Sequence, residues 1–539
     1  MFLLCIFLAF LVPPISSQQP IVVLPNGTIQ GHALTTFTGR EYLAFQGVPY
    51  AAPPTGTSRF QAPRPHDAWN GTLDATKESA ICFQLQSDSD RENEDCLYVN
   101  VFTPNTEAQL PVIFWIYGGG FRNGAASFAS YRPDYLIDED VVLVTHNYRV
   151  GIFGFLSTGD RVIPGNYGLK DQQLALRWTY ENIHLFGGDP ARITIMGQSA
   201  GAASVGYHLL NPNSAGLFGA AIAESGSPLN MWSFIEDPRA YAIDLAQAVD
   251  VDFDVNATSD QLGTFFMGLD ARTIDAAGTK TKIVQPAVVL EADGPTAFVS
   301  TTMYEQFDVG DFAKVPTLMG MTSEEGISAA KSTKYLNAQA ESYDSDPALL
   351  LPDIFHYGRD ADVAVIGNAI KEIYVGNDTF ADRLGAVVRH FSDNRYDRAV
   401  MKQARMISPL TTVYFYQFSY DGALGGVDYT AEGADRVGHG EELNYLFLSR
   451  EVETVDDGDA LTHKRLVRLW TNFVKYLNPT PESDDPLLQN VTWPIMTADS
   501  FPYLDIDADL TTKTNPKQRY YEGWDRVFAA YGVRPYVTF

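Results

Sequence analysis

A chain of 539 residues, 45% apolar and 12% aromatic, can bury a large core, and no Pro/Ser-rich linker, low-complexity tract or repeat divides it. Its formal net charge of −28 is spread along the chain rather than gathered in a tail. No basic patch is offered to phosphate backbones or anionic lipids, so nucleic-acid partners are excluded and the acidity reads as the solubility of an extracellular protein.

Residues 1–17 are apolar over a stretch too short to span a bilayer and end in Ile15-Ser16-Ser17, which reads as a secretory signal cleaved near Ser17. The last residues, Arg534 to Phe539, form neither a retention tetrapeptide nor a lipid-anchor signal, so the expected route is export without a membrane anchor. Residues 18–539 are expected to form one domain. Sequons at Asn26, Asn70, Asn256, Asn377 and Asn490 are glycosylation candidates, while Pro479 excludes Asn478. Because Cys5 leaves with the signal, Cys82 and Cys96 are the only possible pair, and an oxidising compartment favours their joining. On a chain-entropy basis such a loop closure is worth about 3 kcal/mol.

Ile21 to Ile29 predicts two strands around an Asn26-Gly27 turn, and Tyr42 to Tyr50 a further strand. From Val112 the pattern changes. Val112–Ile116, Val141–Thr145, Ile193–Met196, Ala220–Ala223 and Val315–Met321 are nearly unbroken apolar runs, as expected of strands buried on both faces. Thr411–Phe418 is rich in β-branched and aromatic residues. Helical runs alternate with them, at Tyr167–Ile183, Ala202–Leu210 and Leu461–Leu477; the last carries Leu466, Leu469, Trp470, Phe473 and Leu477 on one stripe. The predicted class is α/β: a large, mostly parallel sheet with helices on both faces and a small antiparallel N-terminal part. In such a sheet the ligand site lies beyond the carboxyl ends of the strands.

Three segments at strand ends carry the chemistry. Gly197-Gln198-Ser199-Ala200-Gly201 follows one strand and opens a helix, which suits a nucleophilic serine on a tight turn. Glu325 leaves the strand ending at Met321 and is the candidate acid. His439 lies between Gly438 and Gly440 in a loop after the strand near Tyr420 and is the candidate base. Each feature is weak alone: such turns, glutamates and loop histidines are usually structural or solvated. Their order, Ser199, Glu325, His439, is that of an α/β-hydrolase triad. Gly118-Gly119-Gly120 directly follows the strand Val112–Ile116, and the N–H groups of Gly119 and Gly120 with that of Ala200 would form a three-donor oxyanion hole. This chemistry needs no metal and no cofactor.

With these residues in place, the chain resembles the type-B carboxylesterase/cholinesterase family from about Tyr42 to Phe539. The resemblance rests on Ser58-Arg59-Phe60, Glu94-Asp95-Cys96-Leu97, Gly118–Phe121, Asn147-Tyr148-Arg149-Val150-Gly151, Gly165–Gln172, Phe186–Pro190, Gly197–Gly201, Glu325-Gly326 and His439–Leu443. It implies the α/β-hydrolase fold, the triad Ser199–Glu325–His439, the oxyanion donors above and a Cys82–Cys96 disulfide. It also implies structural ion pairs Arg59–Glu94 and Arg149–Asp171. Tyr117 stands where most carboxylesterases have histidine, as in cholinesterases, but the Cys82–Cys96 loop carries no tryptophan to bind a quaternary ammonium. Gln198 puts a neutral amide beside Ser199 where a glutamate is common. The expected substrate is therefore a small, neutral, hydrophobic ester.

Gln198, with Arg59-Phe60, Asp171-Gln172, and His439 followed by Glu442, also resembles insect juvenile hormone esterases; Arg436 stands where those have glycine. Non-catalytic adhesion members such as the neuroligins are the other branch, and they typically lack the serine and carry a transmembrane tail. Pocket walls are expected from Leu229–Val315 and from residues 330–360.

Overall fold

The computed structural model describes residues 19–84, 89–282 and 287–539; the expected signal segment lies outside the described residues. In chain order the strands are β1 (Ile21–Leu24), β2 (Gly27–Gln30), β3 (His32–Thr35), β4 (Glu41–Pro49), β5 (Thr72–Asp74), β6 (Tyr98–Thr103) and β7 (Leu110–Ile116). They continue as β8 (Val142–His146), β9 (Gly188–Gln198), β10 (Ala220–Glu224), β11 (Thr317–Thr322), β12 (Val413–Phe418), β13 (Pro502–Ile506) and β14 (Leu510–Thr514). Among the described residues, eleven of them form one sheet in the order β14-β13-β12-β11-β10-β9-β7-β8-β6-β4-β3. The run from β8 through β13 is parallel, and antiparallel pairs close both edges.

The N-terminal hairpin forms as the Asn26-Gly27 turn predicts, with Leu24 opposite Gly27. Its second strand then pairs in parallel with β5, making a separate three-stranded sheet. Most of the antiparallel N-terminal part is thus fused to the edge of the main sheet through β3, β4 and β6.

The unbroken apolar runs reflect two-sided burial. Val112, Phe114 and Ile116 of β7 enter one core, and Ile113 and Trp115 enter the other. Helix Ala200–Leu210 packs in the first, and helix Asp457–Tyr476 brings Leu466, Leu469, Trp470 and Phe473 into the second. Each such fully buried side chain contributes about 1.5–3 kcal/mol. Cys82 and Cys96 are joined, closing a loop of 14 residues' separation. Arg59 binds Glu94 through two hydrogen bonds of 2.6 and 2.7 Å, and Arg149 binds Asp171 through two of 2.7 Å. Asn70, Asn256, Asn377 and Asn490 are exposed, whereas Asn26 is half-buried and its amide donates to the His66 carbonyl at 2.7 Å.

Candidate active site

The parallel register brings the carboxyl ends of β9, β10 and β11 level: Glu224 of β10 lies opposite Gln198 of β9 and Gly320 of β11. The residues just beyond each strand therefore gather on one edge. Ser199 comes directly after β9 with φ 58° and ψ −121°, a left-handed backbone that costs a serine about 1–3 kcal/mol. It persists because its surroundings over-determine it. The Ser199 N–H donates to the Glu224 carbonyl at 2.8 Å, and its carbonyl accepts from Ala203 at 2.9 Å. The turn is also too tight for side chains: a Cβ on Gly201 would sit 2.0 Å from the Ile116 carbonyl oxygen. Ser199 is 8% exposed.

The glycine turn after β7 lies against this elbow. A Cβ on Gly118 would come within 3.0 Å of the Ser199 Cβ. Gly119 and Gly120 have φ of 109° and 61°, a region open to glycine. Among the described residues, the N–H groups of Gly119, Gly120 and Ala200 donate to no protein acceptor, so they remain available to a ligand oxygen. The turn is clamped from beneath by Tyr117, whose buried ring stacks on Tyr148 at 4.4 Å. The Tyr117 hydroxyl donates to the Tyr148 carbonyl at 3.1 Å, and the Tyr148 hydroxyl donates to the Tyr117 carbonyl at 2.8 Å. Tyr117 thus faces the core and braces the loop.

His439 and Glu325 meet although 114 residues apart. His439 Nδ1–H donates to Glu325 Oε2 at 2.6 Å, and the Thr322 N–H donates to Glu325 Oε1 at 2.7 Å. Burial pushes the Glu325 carboxyl up, but the charge and hydrogen bond of His439, with those from Ser225 and Thr322, outweigh it and hold it below the usual glutamate range. In the tautomer that carries its proton on Nδ1 the ring lone pair lies on Nε2, which stands 3.2 Å from the Gln198 amide nitrogen. Gln198 immediately precedes Ser199, so the imidazole and the serine are set against one residue. His439 keeps 19% of its side chain exposed.

Two groups escaped the sequence reading. Tyr396 stacks on the His439 ring at 4.1 Å and 25°, carried by the π-helical segment Asp393–Asp397. Such wide turns have no strong sequence signature. Below Glu325 and His439, the Ser225 hydroxyl lies between Glu325 and Glu442, and Glu224 accepts the Trp470 indole N–H at 2.6 Å. Burial, reinforced by Glu224 and Glu325, holds the Glu442 carboxyl far above its usual range. The Glu224-Ser225-Gly226 segment at the end of β10 was the available signal, because a segment leaving the strand next to β9 must border the elbow. Of the expected walls, Trp232 reaches the site beside Phe121 and Tyr396. Arg436 turns away and pairs with Asp421 at 3.1 Å.

Residues 18–524 match the sequence model of the carboxylesterase family. The chain belongs to the carboxylesterase family. It is a carboxylic ester hydrolase with the α/β-hydrolase fold. Among its relatives, the juvenile hormone esterase of Tribolium castaneum is 31% identical over 509 residues, 88% of this chain and 86% of the relative. The venom carboxylesterase-6 of Apis mellifera is 32% identical over 521 residues, 91% and 90% of the two chains. Esterase FE4 of Myzus persicae is 32% identical over 500 residues, 87% and 86%. Within this family the hydrogen bond between His439 and Glu325 is an arrangement suited to acyl transfer, since a proton held on Nδ1 puts the imidazole lone pair on Nε2, where the Gln198 amide meets it.

Proposed function

We propose that this esterase cleaves neutral, hydrophobic carboxylic esters through a Ser199–His439–Glu325 triad and an acyl-enzyme. With the Gln198 amide displaced from it, His439 Nε2 takes the Ser199 proton as Oγ attacks the ester carbonyl. The N–H groups of Gly119, Gly120 and Ala200 hold the oxyanion, each donor being worth roughly 3 kcal/mol at the transition state. Glu325 keeps the proton on Nδ1 and stabilises the imidazolium as it forms. The alcohol leaves with the proton from Nε2, and water resolves the acyl-enzyme by the same steps in reverse. The observation that carries this reading is the 2.6 Å bond from His439 Nδ1 to Glu325 beside the strained residue 199. Gln198 supports the neutral substrate, because its amide adds no charge beside Ser199.

The experiment is Ser199→Ala with 4-nitrophenyl butyrate as substrate and a fluorophosphonate probe as label. We expect kcat to fall by about 10⁵–10⁶-fold and labelling to vanish; a variant that still turns over or labels would sink the assignment. The segment 1–17 and the four exposed sequons support export of a glycosylated mature chain. Protein recovered from the medium should begin near Gln18 and lose mass on enzymatic deglycosylation; retention inside cells with the N-terminus intact would refute this.

A second reading has its own support. The relative from Tribolium castaneum is named a juvenile hormone esterase, and Gln198 fits that branch. A terpenoid methyl ester hydrolysed with kcat/KM well above that of simple methyl esters would favour it, and equal or lower values would remove it.

A further inference from the structure

Beside the site stand two cations that no carboxylate among the described residues neutralises. Arg122 follows Phe121 in the glycine turn, its Nε 3.7 Å from where a Cβ on Gly120 would lie. That Nε is sealed from solvent without an acceptor. The residue as a whole is half-buried, and its side chain forms no hydrogen bond or ion pair among the described residues, so its terminal nitrogens stand open. Arg395, exposed, precedes Tyr396 and lies over the Phe391 ring at 5.9 Å, also without a carboxylate partner among the described residues. Both charges bear on Tyr396: burial and then Glu325 push its hydroxyl up to about 12, and Arg395 and Arg122 pull against them. Tyr396 is the ring stacked on His439.

The neighbouring cations are treated differently. Arg389 pairs with Glu324 at 2.6 Å, Lys517 pairs with Asp397, and Arg436 pairs with Asp421. Carboxylates are plentiful in a chain of net charge −28, so two arginines without a carboxylate partner among the described residues depart from their surroundings; their segments meet at Trp232, whose ring packs beside Phe121 and Tyr396 and whose indole N–H donates to the Arg395 carbonyl at 2.7 Å. A guanidinium offers a planar fork of donors that matches a carboxylate, and the bond strengthens where aromatic walls exclude water. Phe121, Trp232 and Tyr396 are the aromatic rings packed beside these segments.

We propose that Arg122 and Arg395 form a subsite for a carboxylate carried by the ester substrate at a distance from the scissile bond. The inference rests on the esterase reading above and departs from it in the substrate: only the part flanking the ester, next to Gln198, is neutral and hydrophobic, and the far end is anionic. Because the whole protein repels anions, this attraction acts only at close range, within about a Debye length.

The test uses two matched ester pairs, one with the charge on the acyl chain and one with it on the alcohol. The first is 4-nitrophenyl octanoate against mono-4-nitrophenyl suberate. The second is 1-naphthyl acetate against its ring-carboxylated analogue. For each pair the ratio of kcat/KM, anionic over neutral, is compared between the unsubstituted enzyme, Arg122→Gln and Arg395→Gln. Loss of a charge-assisted contact should lower that ratio by about tenfold or more in one pair for Arg122→Gln. A fall of fivefold or more in either pair with either variant supports the subsite; smaller changes throughout overturn it. Using the ratio cancels any disturbance of the neighbouring oxyanion turn. Failure of the esterase reading would show separately, as no turnover of either neutral ester by the unsubstituted protein.

Discussion

The elbow side of the site and the histidine side are built from different materials. Residues 116–120 and 197–201 meet through backbone: carbonyls and Cα atoms lie so close that a methyl group on Gly201, Gly197 or Gly118 would collide with main chain. Glu325, Tyr396, Gln198 and His439 meet through side chains, each carried by a separate segment. Even glycine plays a different part there, since a Cβ on Gly440 would meet only the Gln198 amide, at 3.1 Å. Backbone contact fixes position through the fold's own stability, whereas side-chain contact fixes protonation and orientation. Damage to the first should appear as lost folding, and damage to the second as lost rate.

The sharpest break falls on the side-chain half. Glu325→Gln offers His439 an amide of nearly the same shape, which permits the wrong tautomer. We expect kcat to drop by about 10⁴-fold with the melting temperature little changed; steady-state kinetics beside a thermal scan would read both. A drop below tenfold would mean that Glu325 does not set the imidazole. On the backbone half, Gly201→Ala places a methyl 2.0 Å from the Ile116 oxygen, an atom that no side-chain rotation can move. The expected cost is about 3 kcal/mol of stability, visible in denaturant unfolding; an unshifted midpoint would contradict the close approach.

The smallest effect concerns the floor between the two halves. Burial holds the Glu224 carboxyl up at about 8, against 4.5 for an ordinary glutamate. Above pH 4.5 the unfolded chain releases that proton while the native chain keeps it. This group's contribution to stability is therefore full below pH 4.5 and is lost as pH rises towards 8. Glu224→Gln retains an acceptor for the Trp470 indole and removes the titration. The decline of the melting temperature between pH 4.5 and 8 should become shallower, and an unaltered slope would show that Glu224 is ionised throughout.

The same division governs what could be read from the amino acids. The elbow and the glycine turn were legible because close backbone approach demands glycine at particular positions, and that demand is written locally in Gly197–Gly201 and Gly118–Gly120. Glu325 and His439 were legible through their strand-end positions, their order along the chain and the family resemblance, since nothing around either residue announces that they touch. Tyr396 was not legible: an aromatic residue inside a helical stretch looks like core until the fold turns it onto an imidazole. Tyr117 was legible as a departure from carboxylesterases but not in its role, because the direction of its side chain depends on Tyr148 of another strand's loop.

By itself, then, the sequence determined the α/β layering, through apolar runs that only two-sided burial explains, and the Cys82–Cys96 pairing, through elimination. It also located the turn that bears Ser199. Tertiary structure alone decided that Glu325 lies 2.6 Å from His439, that the Gln198 amide meets the other imidazole nitrogen, and that the segments bearing Arg122 and Arg395 meet at Trp232 with no carboxylate partner for either arginine among the described residues. The physical reason is range. Backbone geometry and burial periodicity act between near neighbours and leave local traces, whereas contacts between side chains more than a hundred residues apart exist only after the parallel strands have brought their ends to one edge.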